Sequence, residues 1–229
     1  MMAMGQTCSE MAELTSPFAK RYADKIGADF ILITGESENN DHPTMNKYGM
    51  AGITKHYDRS IILDADIFVL PKAVNLFDII PKGNVGLTEC FSRLPQQEWM
   101  YREITELMAS QGLLPCVTQK TKYWNAGIQV LDRKHTHLYY DSPKHPFPSF
   151  WCNDEHWGRY NIERHSLPVA NIPETYHWCW FYDRDFELLQ EFNPSFIHLA
   201  GMGQNVPSWE VPDRQWRTRL CRLIHYLIF

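Results

Sequence analysis

The chain has 229 residues, which sets one domain as the expectation and is ample for a hydrophobic core. With 44% hydrophobic and 21% charged residues it has the composition of an ordinary globular protein, which excludes a disordered or fibrous chain. The 22 Lys and Arg against 27 Asp and Glu leave a net charge of −5. That argues against a broad basic face for nucleic acid, so any anionic ligand has to be met in a local pocket or through a metal.

Met11, Leu14, Phe18, Tyr22 and Ile26 recur at helical steps and predict a first helix, with Ser16-Pro17 read as an internal restart and Gly27 as its end. Phe30 to Thr34 is a short apolar run that predicts a buried strand, and Thr44 to His56 predicts another helix. Ser60 to Leu63 predicts a strand without polar alternation, as in a sheet covered on both faces. After it come a short helix over Ala73 to Ile80, a strand over Val85 to Thr88, and a helix over Gln96 to Gln111 striped by Met100, Ile104, Leu107 and Met108. Tyr123 to Leu131 predicts a further strand. Asn153 predicts an N-cap, followed by Asp154 and Glu155 in a first turn that suits acids. Ser195 to Leu199 predicts a last strand, and Trp216, Leu220, Leu223, Ile224 and Leu227 a C-terminal amphipathic helix. Strands alternating with helices point to an α/β fold, a largely parallel sheet in a single domain over 1–229.

The most apolar stretch, Ile61 to Leu70, is interrupted by Asp64 and Asp66, well short of the roughly 18 apolar residues of a spanning helix. Met1 to Gly5 lacks the basic start and apolar region of a secretory signal. The six Cys include no C-x-x-C pair, so reduced thiols and a cytoplasmic setting are expected.

Chemistry concentrates first at Ile61-Ile62-Leu63-Asp64-Ala65-Asp66. A buried strand ending in two carboxylates places them at the carboxyl edge of a sheet, where α/β folds bind ligands. Two like charges there suit a hard divalent cation shared with a phosphate-bearing ligand, although a solvated turn or N-cap gives the same tripeptide. This segment, with its Tyr57-Asp58-Arg59 lead-in, resembles the D-x-D region of family 8 retaining glycosyltransferases and related enzymes of the Rossmann-like GT-A fold. Three further matches follow in order. Tyr123 to Leu131 is similar to the family's aromatic-Asn-Ala-Gly strand, Asn153-Asp154-Glu155 to its acidic pair at a helix start, and Phe196-Ile197-His198-Leu199-Ala200-Gly201 to its late His-x-x-Gly.

The resemblance implies a metal-dependent hexosyltransferase using a nucleotide diphosphate sugar, UDP-linked, with a saccharide or other hydroxyl acceptor and retention of configuration. Asp64, Asp66 and His198 would hold manganese or magnesium, with Asp64 shared between metal and donor ribose. Asn125, Ala126 and Gly127 would face the donor sugar, Gly201 and Ala65 would lie along the donor, and Lys47 would contact it. Asp154 and Glu155 would bind sugar hydroxyls and stabilise an oxocarbenium-like transition state. Bland readings stand beside each: a satisfied core histidine, a strand kept small for packing, helix-cap acids, a solvated lysine. The family often has Asp-Gln where this chain has Asp154-Glu155. It also begins on a longer strand, so contacts to the base fall on Ala3, Met4 and Gly5, and the Lys-Pro-Trp after its His-x-x-Gly is here only Pro207-Ser208-Trp209. Trp151, Trp157, Tyr176, Trp178 and Trp180 could form an acceptor wall or pack in the core.

Two rival classes keep part of the pattern. A haloacid dehalogenase-like phosphatase also places D-x-D after an apolar strand, but Phe68 and Asn125-Ala126-Gly127 do not fit it. A carbohydrate-binding or scaffold relative would keep the fold without turnover. A zinc site from His135, His137, Cys152 and His156 lacks any recognised ligand spacing.

Overall fold

Helix α1 spans Gln6–Ile26 in one piece, with Pro17 inside it. The expected restart does not occur. A proline removes one backbone donor, and packing of Ala12, Ala19 and Tyr22 into the core holds the helix through that loss. Gly27, at φ +70°, takes the left-handed conformation that ends it. In this computed structural model the described residues are 1–4, 6–35, 43–89, 98–113, 122–141, 143, 153–179 and 193–200. The C-terminal amphipathic segment, Gly5, Gly201, Trp151, Trp180 and Pro207-Ser208-Trp209 lie outside them.

The remaining elements are β1 (Met2–Met4), β2 (Ile33–Gly35), a 3-10 helix (Pro43–Met50), α2 (Ala51–Thr54), β3 (Arg59–Leu63), β4 (Ile67–Val69), α3 (Leu76–Ile79) and β5 (Val85–Glu89). They continue with α4 (Glu98–Ser110), β6 (Trp124–Asp132), α5 (Arg133–Tyr139), α6 (Asn153–Arg164), β7 (Val169–Asn171), β8 (His177–Cys179) and β9 (Phe196–His198). The helix expected over Thr44 to His56 is thus mostly 3-10, the tighter winding. Its side chains explain why, since Lys47 and Tyr48 are buried and tied to groups on other elements.

The sheet is mixed. Its four-stranded part has the order β3-β6-β5-β7, a second part β4-β9-β8, and β1 pairs with β2. Parallel pairing, expected for most of the sheet, holds for β1–β2, β5–β7 and β8–β9, and Met2 bridges Asp64 in the same sense. The long β6 runs antiparallel to both β3 and β5, and β4 is antiparallel to β9. An apolar run reads the same in either direction, because a strand covered on both faces is apolar whichever way its neighbours point.

Side chains along β6 alternate between two cores, as a pleated strand requires. Ile128 and Val130 join α1, β4 and α3, whereas Leu131 and the adjoining Tyr123 join α4, α5 and α6, where Met100, Ile104, Leu107 and Met108 form the expected stripe. Gly86 in β5 keeps the layers close, since a Cβ there would lie 2.6 Å from Ile80 and 2.9 Å from Val130. The expected buried strand at Phe30 to Thr34 is shorter and more open, with Ile31 and Leu32 exposed. It flanks a cavity of about 580 Å³ that is also lined by Tyr22, Ile61 and Phe77 and includes none of Asp64, Asp66, Asp154, Glu155 or His198. No helix of the described residues is long and apolar enough to cross a membrane.

Arg59 fastens the start of β3. Its Nε donates to Asp132 at 2.8 Å, and its two terminal nitrogens donate to the carbonyls of Phe77 at 2.8 Å and Ile80 at 2.7 Å. Asp132 also accepts from the backbone of Gly83. Removing the cation strands a largely buried carboxylate and two carbonyls, so Arg59→Met is expected to cost about 3 kcal/mol in urea unfolding. A Gly86→Ala change is expected to cost about 2 kcal/mol in the same assay, because both neighbours of the new methyl are packed branched side chains.

Candidate functional site

The site forms where β3 hands over to β4. Asp64, Ala65 and Asp66 make a tight turn, closed by Ile67 N donating to Asp64 O at 3.2 Å. Asp64 N donates to Gly127 O on β6, and Thr15 of α1 donates to Ala65 O at 2.6 Å, so neighbouring elements hold the turn from both sides. Pairing of β4 with β9 sets Ile67 opposite His198, and Leu199 N donates to Asp66 O at 3.0 Å. That register brings a residue 132 positions later to the turn: His198 Nε2 lies 3.3 Å from Asp66 Oδ1.

One donor atom each from Asp64, Asp66 and His198 lies within 4.8 Å of the others, and among the described residues this is the one such group. Carboxylate oxygens with an imidazole nitrogen suit magnesium or manganese. Asp64 Oδ1 is buried and accepts no hydrogen bond among the described residues, but the Lys47 ammonium lies 2.8 Å from it, so a cation here would share that carboxylate with Lys47. The donor set therefore fits the expected ion. His135 and His137 sit apart on α5, and His156 is engaged by Tyr123 and Glu103, so no zinc group forms among the described residues.

The His198 ring is held by two neighbours. It stacks on His177, with centroids 5.4 Å apart and planes at 17°. It also lies so close to Gly127 that a Cβ there would come within 2.3 Å of its Cε1. Gly127, expected to face a donor sugar, thus makes room for the histidine. His177 in turn shares a 2.7 Å hydrogen bond with Thr88. Burial and the neighbouring His198 hold His177 well below the usual histidine range.

Beside the turn, Lys47 is buried with its ammonium 2.8 Å from Asp64, 2.7 Å from Asp154 and 3.2 Å from the carbonyl of Ala126. Those contacts match the three donors of an ammonium. Burial opposes its charge, but Asp154 and Asp64 outweigh that and hold it well above the usual lysine range. Asp64 itself is pushed up to about 6 by burial, which Lys47 only partly offsets. For Asp66 burial pushes up, but His198, Lys47 and a backbone hydrogen bond together outweigh it and leave the carboxyl low. Burial likewise opposes charge on His198, but Asp66 and Cys179 together overcome it and raise the imidazole well above its usual range.

Glu155 lies on the other side of the Asn125-Ala126-Gly127 strand. Its Oε1 accepts from Asn125 Nδ2 at 2.9 Å and Ala126 N at 3.2 Å, and Gly127 N donates to Asn125 Oδ1 at 2.9 Å. Burial and the adjacent Asp154 push Glu155 up to about 7. Asp154 and Glu155 do head α6 as expected, α6 being counted from Asn153 itself.

The structure therefore brings Lys47, Asp64, Ala65, Asp66, Asn125, Ala126, Gly127, Asp154, Glu155 and His198 into one neighbourhood. Ala3 is fully buried in β1, which meets Asp64 through Met2. Trp157 and Trp178 are almost wholly buried, so their place in the suggested acceptor wall is taken by core packing. Sequence reasoning missed His177 and Thr88, and gave Tyr123 only as part of a strand motif and His156 only as a zinc candidate. The signal for His177 was two-residue spacing, since residues at diagonal positions of paired strands share a face, but only the β8–β9 register reveals it.

The architecture is found in solved structures. A glycosyltransferase involved in the glycosylation of the major capsid of PBCV-1 superposes with a TM-score of 0.52 at 13% identity, covering 87% of this chain and 90% of that one. The galactosyltransferase LgtC in complex with donor and acceptor sugar analogs gives 0.48 at 13% identity, covering 100% of this chain and 95% of the other. No family model matches the sequence, and no curated protein does. The chain has the GT-A glycosyltransferase fold.

The raised Glu155 makes a pH prediction. A carboxyl that titrates near 4.5 when unfolded and near 7 when folded favours the folded state while protonated. That contribution is full below about 4.5 and is lost as pH rises through about 7. Glu155→Gln is expected to flatten the unfolding free energy across this window and to be more stable than wild type at pH 8 by about 2 kcal/mol, read by urea unfolding at stepped pH.

Proposed function

We propose that this protein is a metal-dependent glycosyltransferase that moves a hexose from a nucleotide diphosphate sugar, UDP-linked, to a saccharide or other hydroxyl acceptor with retention. The observation that carries the reading is the convergence of Asp64, Asp66 and His198 at the end of β3 in a glycosyltransferase fold. Manganese or magnesium held there would supply Lewis-acid neutralisation of the diphosphate as it leaves. UDP and retention come from the family resemblance. Free thiols at Cys8 and Cys179 suit the reducing cytoplasm.

The chain's own groups divide the remaining work. Lys47 fixes the Asp64 and Asp154 carboxylates, which makes their positions independent of ligand. Asn125 and Glu155 orient one another beside the small residues Ala126 and Gly127. Asp154 and Glu155 form the acidic wall that would face positive charge at an anomeric carbon. Asp66 and His198 pin each other at the turn and so keep two donors together.

Calorimetry with UDP and manganese is expected to show donor binding only with the metal present, with at least a tenfold loss of affinity in Asp66→Ala, about 1.4 kcal/mol. Unchanged affinity in that variant would falsify the assignment. A panel of nucleotide sugars is expected to show Asp66-dependent turnover. Cleavage of p-nitrophenyl phosphate without any sugar nucleotide would establish the phosphatase reading instead, and binding without turnover across the panel the scaffold reading.

A further inference from the structure

Where β5 meets β6 the two strands fall out of step. Gly86 pairs with Val130 and Thr88 with Asn125, so β6 advances five residues while β5 advances two. The surplus lies between Asn125 and Val130 and takes Ala126 and Gly127 out of the regular ladder with β5. Backbone groups released in this way need other partners. Ala126 N donates to Glu155 Oε1 at 3.2 Å, Gly127 N to Asn125 Oδ1 at 2.9 Å, and Gly127 O accepts from Asp64 N at 3.0 Å. Ala126 O accepts twice, from Lys47 Nζ at 3.2 Å and from Gln129 Nε2 at 2.8 Å. Of the side chains that hold this bulge, Gln129 is the one that lies outside the candidate site.

Gln129 is 1% exposed. It shares a strand face with Leu131, and that face packs into the apolar core that holds Tyr48, Tyr139 and Tyr140. Its Oε1 accepts from the Tyr140 hydroxyl. The Tyr140 ring stands edge-on to Tyr48 and Tyr139, with centroids 5.6 and 5.0 Å away. An amide donates to the carbonyl and accepts from the hydroxyl at once, whereas an ionised carboxylate lacks the donor and a leucine lacks both. A fully bonded polar pair in such a core adds little stability over apolar groups of the same shape. Its placement on the bulge gives it a different use.

We propose that Gln129 and Tyr140 clamp the Ala126 carbonyl and thereby position Asn125, Ala126 and Gly127 against the sugar of the donor. Both are positioning residues, acting through the bulge without touching the ligand. The inference rests on the proposed reading of the site, in which Asn125 to Gly127 face the sugar and the metal meets the diphosphate. With the clamp removed, Lys47 is the remaining donor to Ala126 O among the described residues, and the bulge can shift. The metal turn keeps its ties to Thr15 and Leu199. Binding of the nucleotide diphosphate is therefore spared while the anomeric carbon is misplaced, and an error of about 1 Å can cost on the order of 100-fold in rate.

The test is a double-mutant cycle. Gln129→Met keeps the side-chain shape and removes both hydrogen bonds, and Tyr140→Phe keeps the ring. Each single change strands a buried partner, the Tyr140 hydroxyl or the Gln129 carbonyl, and is expected to lower the urea unfolding midpoint. The double variant strands neither and is expected to unfold at or above the wild-type midpoint. In it the calorimetric affinity for UDP with manganese is expected to stay within about twofold of wild type, whereas kcat across the nucleotide-sugar panel falls by roughly tenfold or more. Stability kept with turnover lost separates positioning from core packing. A kcat within about twofold of wild type, a UDP affinity that falls alongside kcat, or a lowered midpoint in the double variant overturns the proposal. Failure of wild type itself to bind UDP with manganese removes the reading of the site, and the sugar-positioning role falls with it. The clamp's hold on the bulge is read separately, from amide hydrogen exchange at Ala126 and Gly127, expected to be roughly tenfold faster in Gln129→Met. Unchanged exchange there overturns the clamp whatever the ligand.

Discussion

The organising constraint of this molecule is the crowding of four carboxylates around one half-buried turn. Asp64 and Asp66 come from the turn after β3 and Asp154 and Glu155 from α6, and like charges so close in a protein interior repel strongly. Each is compensated differently. Lys47 spans Asp64 and Asp154 from the 3-10 helix, His198 faces Asp66 from β9, and a proton resides on Glu155 through the lower pH range. Three unrelated elements are thereby drawn to the end of β3, and the fold around the turn follows from those attachments.

The same constraint explains local departures from propensity. A run of 3-10 helix at Pro43–Met50 is longer than such helices usually persist. It places the buried Lys47 between two carboxylates and sets the Tyr48 hydroxyl 3.1 Å from the carbonyl of Asp154. Gly127 shows the converse case. Its missing side chain is filled by His198, so backbone space on β6 and an imidazole on β9 are two halves of one fit. That fit, with the His177 stack, fixes the ring in the orientation that meets Asp66.

Much of this was legible in the sequence because apolar runs and helical stripes mark elements reliably when both faces of the sheet are covered. β3, β5, β6, α4 and α6 stand where the pattern put them. Strand direction was not legible, since Ile61-Ile62-Leu63 carries no sign of whether its neighbour runs with or against it. Nor was the helix type at Lys47, which depends on carboxylates 17 and 107 residues away. The D-x-D turn and the late histidine could be paired from the family pattern. Tyr123, His156 and Glu103 could not, because hydrogen-bonding partners 33 and 53 residues apart leave no periodic trace.

A net charge of −5 leaves an anionic ligand to be met in a local pocket or through a metal, and Lys47 is the basic side chain expected to contact the donor. Lys47 does not serve in that way. Its three donors already meet Asp64, Asp154 and the Ala126 carbonyl, so releasing it to a phosphate would strand two carboxylates at substantial electrostatic cost. On the proposed reading, charge neutralisation therefore falls to the cation that Asp64, Asp66 and His198 can share. Lys47 contributes one step earlier, by keeping Asp64 in place beside Asp66. On that reading an acidic protein would accept a diphosphate because Lys47 is spent on holding the carboxylates that a metal would need.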